Sequence, residues 1–174
     1  MFVNLTDVFT SEDKVVTMQV ETQLKTVSTG REQYELVGKS PIVFTFKALG
    51  KGKARIDGQA EVTLAMNCDR CLKPVQKKIV LDFSREVYAP DVIGMSEEAD
   101  DQSFMDGYQL NVDDLLINEI IINWPMKVLC KPDCKGICRQ CGKDLNTGAC
   151  SCDTFVPDPR MAVIKDIFNA NKEV

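Results

Sequence analysis

Eight cysteines are the residues of this sequence best suited to specific chemistry, and the chain contains no histidine. A common zinc site has four thiolate ligands arranged as a tetrahedron, and a C-x2-C turn provides two of these ligands. Without imidazole, a zinc site here has to be built from sulfur alone or with a borrowed carboxylate. The cysteines follow the spacing C-x2-C and then C-x3-C-x3-C-x2-C-x8-C-x-C, and they are Cys68, Cys71, Cys130, Cys134, Cys138, Cys141, Cys150 and Cys152.

Two ways of sharing these cysteines between metal ions fit the spacing. The division that we favour has a main site and a second site. The main site consists of Cys138, Cys141, Cys150 and Cys152. The second ion is left with Cys130, Cys134, Cys68 and Cys71. The other division draws the ligands of one ion from the six C-terminal cysteines and leaves two spare. Cys68 and Cys71 fit a ligand pair and a pair of structural thiols equally well.

Other cysteine chemistries are weighed against zinc. Disulfides are disfavoured in the reducing cytoplasm. A thioredoxin-type redox pair is expected at a strand-to-helix junction, whereas Cys68 and Cys71 are predicted to lie between two strands. An iron–sulfur cluster also uses four thiolates, and the sequence does not distinguish it from zinc. An inert buried thiol explains one cysteine well, but it explains the whole set poorly.

The compartment is inferred from what the chain lacks. The first residues, MFVNLTDVFTSEDK, contain neither the basic nor the apolar region of a signal peptide. The most apolar stretch, residues 115–129, is short and is interrupted by Glu119, Asn123 and Pro125. We therefore expect a cytoplasmic protein that does not associate with membranes.

Positive charge accompanies the cysteines. Residues 47–78 and 127–143 carry net charges of +5 and +4, whereas residues 79–126 carry −10. A zinc ion with four thiolates has a net charge of about −2, so nearby cations can neutralise it. The same cations can instead present a basic patch to RNA phosphate. The candidates for RNA or partner contact are Lys131, Lys135, Arg139, Lys143, Arg70 and Lys73.

Aromatic residues are scarce next to these cations. None lies between Pro125 and Phe155, so we do not expect sequence-specific recognition of unpaired bases.

Strand and helix patterns supply the scaffold for the cysteines. Apolar residues alternate along residues 54–66 and again from Val75 to Val87, which predicts two antiparallel strands joined by a hairpin tip at 67–74. β-branched residues predict a strand over 14–27, and Ser40-Pro41 opens another.

The rest of the chain is predicted to be helical or irregular. Asn111 is a suitable cap for a helix over about 111–123, which Pro125 ends. The acidic residues 89–107 lack periodicity and predict a loop.

These elements predict an α+β fold, with an antiparallel sheet or open barrel, a packed helix, a C-terminal cysteine-rich metal-binding segment and a short tail helix. The predicted divisions are a β-rich core domain over 1–125, the zinc-binding segment over 126–157 and the C-terminal helix over 158–174.

The sequence indicates a protein that is not an enzyme. Without histidine, neither Ser/His/Asp nor Cys/His machinery can be assembled. The chain also lacks a glycine-rich phosphate-binding loop.

Three stretches resemble the YceD family, whose members are called large ribosomal RNA subunit accumulation proteins. They are CDRCLKPV at 68–75, LNVDDLLINEIIINWPMKVLC at 110–130, and CKPDCKGICRQCGKDLNTGACSCD from 130 with the DPR that follows. The resemblance is in order and covers roughly residues 55–165. Some members keep the C-x2-C pair but lack the C-terminal cysteines, so the resemblance implies that the metal is a scaffold. This chain has the version of the family that carries the zinc-type cysteines.

The resemblance implies a bacterial or plastid protein without established enzymatic activity, needed for accumulation or processing of large-subunit (23S) ribosomal RNA. We therefore expect a non-enzymatic ribosome-biogenesis factor with a structural zinc site. Its expected partners are large-subunit rRNA or a precursor particle, together with a ribosomal protein, and neither DNA nor a membrane. The alternatives are a zinc-stabilised protein-interaction module and a thiol redox sensor.

Overall fold

The structure of the protein, a computed structural model, describes residues 1–92 and 102–152. Within those residues the helices are α1 (Thr6–Thr10) and α2 (Val112–Ile122). Neither helix is long and apolar enough to cross a membrane. The strands are β1 (Phe2–Asn4), β2 (Val15–Val20), β3 (Thr26–Ser28), β4 (Gln33–Lys39), β5 (Ile42–Gly50), β6 (Lys53–Asn67), β7 (Pro74–Tyr88), β8 (Met105–Asp106) and β9 (Gln109–Asn111).

The main sheet consists of four antiparallel runs of chain. β2 and β3 form the first run, β4 and β5 the second, and β6 and β7 the last two. β6 pairs with all 15 residues of β7, from Lys53 opposite Tyr88 to Asn67 opposite Pro74. β5 and β4 pair with the other edge of β6, so β6 is the central strand of the sheet.

The ladder between the second run and β6 continues across the break at Ser40-Pro41. The backbone N–H of Ser40 donates to the carbonyl of Glu61 over 2.8 Å. The N–H of Glu61 in turn donates to the hydroxyl of Ser40, also over 2.8 Å. The serine side chain thus supplies an acceptor where the proline interrupts regular pairing.

β6 shows the alternation that the sequence predicts. Its buried residues belong to one continuous core, and they are Ala54, Ile56, Ala60, Val62, Leu64 and Met66. Gly58 lies on the same face, where an added Cβ would lie 2.2 Å from the ring of Phe83. Gly58 therefore leaves the space that the Phe83 ring fills on the neighbouring strand.

Helix α2 packs on this core and closes it. Asn111 caps the helix by accepting a hydrogen bond from the N–H of Asp113 over 3.2 Å. Leu115, Leu116 and Ile120 are buried. Glu119 is also buried, and it forms an ion pair of 2.6 Å with Arg85 on β7. The α+β prediction is confirmed.

Several local predictions need correction. The strand predicted over 14–27 is two strands, because residues 21–25 leave the ladder between β2 and β3. The strand β4 was not predicted from the sequence at all.

The loop predicted over 89–107 is partly regular structure, since β8 pairs with β9 and Phe104 is buried. Residues 93–101 of that loop and the tail helix predicted from 158 lie outside the described residues.

Candidate metal centre

The first cysteine cluster joins the tip of the β6–β7 hairpin to the segment that follows α2. Cys68 and Cys71 lie in the tip, and Cys130 and Cys134 approach from the segment, with all four sulfurs within 4.8 Å of one another. The Sγ atoms of Cys68 and Cys134 are 3.8 Å apart. Those of Cys71 and Cys130 are 3.4 Å apart. We call these four residues the tip cluster.

Three hydrogen bonds, one between backbone groups and two from side chains to the backbone, bring the two parts of the tip cluster together. The N–H of Asp69 donates to the carbonyl of Val128 over 2.9 Å. The carboxylate of Asp69 accepts the N–H of Val128 over 2.6 Å. On the other side, the guanidinium of Arg70 donates to the carbonyl of Cys134 over 2.6 Å. Val128 is itself buried in the main core, so the tip cluster is fixed to the sheet.

The second cluster is local in sequence. Cys138, Cys141, Cys150 and Cys152 place their sulfurs within 4.8 Å of one another. Cys138 is buried, Cys141 is exposed, and the other two are half-buried. We call these residues the C-terminal cluster. All eight cysteines lie in the described part of the chain, and none forms a disulfide.

Both C-x2-C turns have the same backbone pattern. In the tip cluster, the N–H of Cys68 donates to the carbonyl of Lys73, and the N–H of Leu72 donates to the carbonyl of Cys68. In the C-terminal cluster, Cys138, Lys143 and Gly142 repeat these two bonds. Such turns point the amide hydrogens of the following residues at the sulfurs and hold two thiolates on one side.

The loop of the C-terminal cluster supports the tip cluster. The amide nitrogen of Asn146 donates to the Sγ of Cys134 over 3.4 Å. Its amide oxygen accepts the N–H of Lys135 over 2.9 Å. Asp144 forms an ion pair of 2.6 Å with Lys73 in the hairpin tip. The two clusters are therefore connected through residues 144–146.

Asp144 and Asn146 were not among the residues singled out from the sequence. A signal for them exists, because Asp and Asn favour turns in which the side chain accepts from the backbone two residues later. Here the N–H of Asn146 donates to Oδ1 of Asp144 over 2.9 Å.

Hydrogen bonds lower the pKa of some thiols in each cluster and raise the pKa of others. Burial raises the pKa of Cys68, but the backbone N–H groups of Arg70, Cys130 and Cys71 lower it to about 6. The N–H groups of Cys141 and Gln140 lower the pKa of Cys138 to about 6.

The partner thiols are shifted in the other direction. Hydrogen bonding to Cys71 raises the pKa of Cys130 to about 12. Hydrogen bonding to Cys141 raises the pKa of Cys152 to about 12. Each cluster thus contains a thiol that favours the thiolate, the form that binds metals.

The structure separates the six candidate contact cations into two groups. Lys73 pairs with Asp144, and Lys131 lies 3.7 Å from the carboxylate of Asp133. The ammonium of Lys143 donates to the carbonyl of Ala149 over 2.8 Å, which closes the loop of its own cluster. These three cations serve the local structure.

Arg70, Lys135 and Arg139 form the second group. They line one cleft beside the hairpin tip. Among the residues that the structure describes, the charged ends of Lys135 and Arg139 make neither an ion pair nor a hydrogen bond, whereas Arg70 is anchored to Cys134.

Fold and clusters together define an α+β protein with two four-cysteine groups, each able to hold a metal ion. The chain belongs to the YceD family: the family model described as "Large ribosomal RNA subunit accumulation protein YceD" matches residues 56–168. The match includes the hairpin tip and both cysteine clusters.

Curated relatives cover part of the chain. The maize protein "Large ribosomal RNA subunit accumulation protein YCED homolog 1, chloroplastic" is 29% identical over an alignment of 131 residues, and the match covers 59% of this chain and 45% of the maize protein. The homologue of the same name from Arabidopsis thaliana is 28% identical over 129 residues, 59% of this chain and 40% of that protein. An uncharacterised protein of Mycobacterium tuberculosis is 25% identical over 91 residues, 52% of this chain and 44% of its own length.

The chain therefore spans less than half the length of these relatives. No solved structure matches it.

Proposed function

We propose that the protein is a non-enzymatic factor that supports the accumulation or processing of large-subunit ribosomal RNA in the cytoplasm of a bacterium. The family match carries this proposal, because it spans the hairpin tip and both cysteine clusters together. The chloroplast homologues carry the same family description in their names. The absence of histidine from the chain supports a binding role over acid–base catalysis.

Zinc is the metal that we propose for these clusters. A tetrahedral ion with Zn–S bonds of about 2.3 Å separates its sulfurs by about 3.8 Å. The separations of 3.8 and 3.4 Å in the tip cluster are close to that value. They are far longer than the S–S bond of a disulfide, which is about 2.05 Å. Zinc would supply structural cross-linking here, since all four positions are taken by protein sulfur.

A redox sensor is a weaker alternative for the tip cluster. A thiol that exchanges with a disulfide has to reach its substrate. Cys68 and Cys134 are fully buried, with exposed fractions of 0%. Their burial favours a structural role over exchange chemistry.

The partner that we propose is large-subunit rRNA or its precursor particle, with a ribosomal protein as a further contact. The exposed cations Lys135 and Arg139 support contact with phosphate. A protein-interaction module that does not contact RNA is the main competitor.

Depletion of the protein tests the proposal. We expect cells without it to accumulate less 23S rRNA relative to 16S rRNA, with large-subunit precursors in sucrose gradients. The wild-type chain should restore the ratio, and the protein should sediment with the precursors until ribonuclease is added. An unchanged 23S to 16S ratio after complete depletion would contradict the proposed function.

A further inference from the structure

Two grooves meet at the tip of the β6–β7 hairpin. One is a groove of about 620 Å³ that contains the aromatic side chains Tyr34 and Trp124 together with Met126. The other is the cleft of about 440 Å³ that contains Arg70, Lys135 and Arg139. We call them the aromatic groove and the basic cleft. Asp69 and Leu72 line both, so the two grooves are neighbours divided by a single ridge.

Closely packed backbone lines the basic cleft. Gly136 is one of its lining residues, with a φ of +81°, and a Cβ there would lie 3.0 Å from the carbonyl oxygen of Arg70. The N–H of Ile137 donates to that same oxygen over 3.2 Å. Lys135 and Arg139 also line the cleft and are exposed. Two exposed cations beside an anchored arginine are suited to phosphate.

The aromatic groove has a different character. Tyr34 and Trp124 meet edge to face with centroids 4.8 Å apart, and both are half-buried. Met126 is fully exposed, at 103%, and Leu72 is 64% exposed. Glu32 lines this groove but not the basic cleft. Its carboxylate repels phosphate but can accept hydrogen bonds from the amino groups of bases.

Leu72 adopts a conformation that is unfavourable for leucine. Its φ is +60°, whereas the equivalent position of the other C-x2-C turn is Gly142, with a φ of +72°. A side chain in this region costs about 1–2 kcal/mol. Strained residues are concentrated at functional sites, and the exposure of Leu72 leaves its side chain free to meet a ligand.

We propose that this surface binds an unpaired segment of RNA, with the backbone phosphate in the basic cleft and an adjacent base in the aromatic groove. Proteins that bind single strands combine a positive groove for the backbone with aromatic surfaces for the bases. The inference rests on the proposed function, since rRNA is the nucleic acid that the family description names.

The proposed surface uses aromatic residues that lie outside the cysteine-rich segment. The scarcity of aromatic residues between Pro125 and Phe155 argued against sequence-specific recognition of unpaired bases. The aromatic side chains instead come from β4 and from the end of α2, which lie 90 residues apart in sequence and meet beside the hairpin tip. The sequence pattern near the cysteines gave no sign of them.

The chain contains a built-in reporter for the proposal, because Trp124 is its one tryptophan. We would titrate the full-length, zinc-loaded protein with a ten-nucleotide single-stranded RNA of mixed sequence and follow the fluorescence of Trp124. Binding should quench it, and a duplex of the same sequence should bind at least tenfold more weakly. An oligonucleotide with abasic sugars has the same phosphates and should quench little.

The variant K135Q/R139Q should weaken binding about tenfold and make its salt dependence shallower by about 1.4 in the log–log slope, as expected for two lost phosphate contacts with a single strand. The matched control K47Q/K51Q removes the same charge at the opposite end of β6 and should leave the slope unchanged. M126A should lower affinity for the normal strand but not for the abasic one. Zinc content and unfolding curves confirm that each variant is folded.

Four results would overturn the inference. The first is an equal loss of RNA affinity in K135Q/R139Q and K47Q/K51Q, and the second is equal affinity for single-stranded and duplex RNA. The third is quenching of Trp124 by abasic RNA as strong as by normal RNA. The fourth is a protein that does not bind the oligonucleotide but still restores the 23S to 16S ratio. Association with precursors that survives ribonuclease but is lost in M126A would also overturn it, in favour of a protein partner. The proposed function fails separately, if oligonucleotide binding is intact but depletion leaves 23S rRNA unchanged.

Discussion

The two cysteine clusters share one local design and differ in what they connect. Each begins with a C-x2-C turn that makes the same two backbone hydrogen bonds. The tip cluster joins residues as far as 66 positions apart, from Cys68 to Cys134. The C-terminal cluster closes within residues 138–152.

Burial differs between the clusters as well. Three of the tip-cluster cysteines, Cys68, Cys71 and Cys134, are buried and form a small apolar cluster with Val75, Leu129 and Ile137, whereas Cys130 is exposed. In the C-terminal cluster, Cys141 is exposed and Cys150 and Cys152 are half-buried. A cross-link between distant residues removes more freedom from the unfolded chain than a local one. The tip cluster should therefore stabilise the tertiary structure, whereas the C-terminal cluster should order mainly its own loop.

The replacement Cys68→Ser tests this difference with the largest expected effect. Loss of one ligand should lower the zinc content from two ions per chain to one. The free energy of unfolding should fall by about 4 kcal/mol, the size typical of a lost metal site. Hydrogen exchange should show loss of protection over residues 127–137, because that segment is attached to the sheet through the tip cluster.

Cys138→Ser is the matched variant. It should also remove one of the two proposed zinc ions, but the sheet should unfold within about 1 kcal/mol of the wild-type value, since its strands bury their own core. Exchange should speed up over residues 138–152 alone. Equal destabilisation by the two variants would show that the clusters do not differ in the way that we infer.

The hairpin and the C-x2-C turns, which depend on residues close together in the chain, could be predicted from the sequence. The alternation along β6 and β7 predicts the hairpin, and Cys138-Arg139-Gln140-Cys141-Gly142 has the form of a metal-binding turn. Such features depend on neighbours in sequence, where periodicity and turn chemistry act directly.

The long-range half of the comparison was accessible only in part: the favoured division of the cysteines is the one that the structure shows, but the spacing did not require it. The sequence allowed a second division of the cysteines, because nothing in the spacing shows that Val128 docks on Asp69. The strand β4 was missed because its polar residues, such as Gln33 and Glu35, alternate with only half-buried ones. The roles of the cations likewise depend on which carboxylate lies opposite, as Asp144 does for Lys73.

The replacement Gly136→Ala tests how closely the two parts of the tip cluster approach. Alanine there has to adopt a φ of +81° and to place its Cβ 3.0 Å from the carbonyl oxygen of Arg70. We expect destabilisation of about 2 kcal/mol, measured by urea unfolding of the zinc-loaded protein.

Gly142→Ala is its control in the C-terminal cluster. It has a similar φ of +72° but no atom within 4 Å of the new Cβ. It should cost only the conformational strain, about 1 kcal/mol. A larger loss in Gly142→Ala than in Gly136→Ala would contradict the close packing of residue 136 against the hairpin tip.

The replacement Asn146→Ala tests the connection between the clusters. It removes the hydrogen bond to the Sγ of Cys134 and the acceptor for the N–H of Lys135. Loss of an outer hydrogen bond to a ligand typically lowers metal affinity by about tenfold or more. We expect that loss at the tip cluster, measured by competition of the fully loaded protein with a chromophoric chelator and fitted as two separate site affinities.

Thr147→Ala provides the comparison for Asn146→Ala. Its hydroxyl donates to the carbonyl of Asp144 over 2.8 Å and does not contact a sulfur. Zinc affinity at the tip cluster should stay within about twofold of the parent. Unchanged affinity in Asn146→Ala would mean that the two clusters bind metal independently.

The smallest expected effect is at the position after each C-x2-C pair, where both backbones have a positive φ but the residues are leucine and glycine. Leu72→Gly makes the tip turn resemble the other, in which Gly142 occupies this position. Leu72→Ala removes the exposed side chain but keeps a Cβ at a φ of +60°. The glycine variant should therefore be more stable than the alanine variant, because it relieves the backbone strain. The difference should be about 1 kcal/mol or less, because the greater freedom of glycine in the unfolded chain offsets part of that gain.

Both variants should lose affinity for single-stranded RNA to the same extent, since both remove the leucine side chain from the ridge between the grooves. Urea unfolding and the Trp124 titration measure the two quantities separately. If the alanine variant is the more stable one, the strain assigned to Leu72 is absent; if RNA affinity follows stability instead of the side chain, the ridge does not contact the RNA.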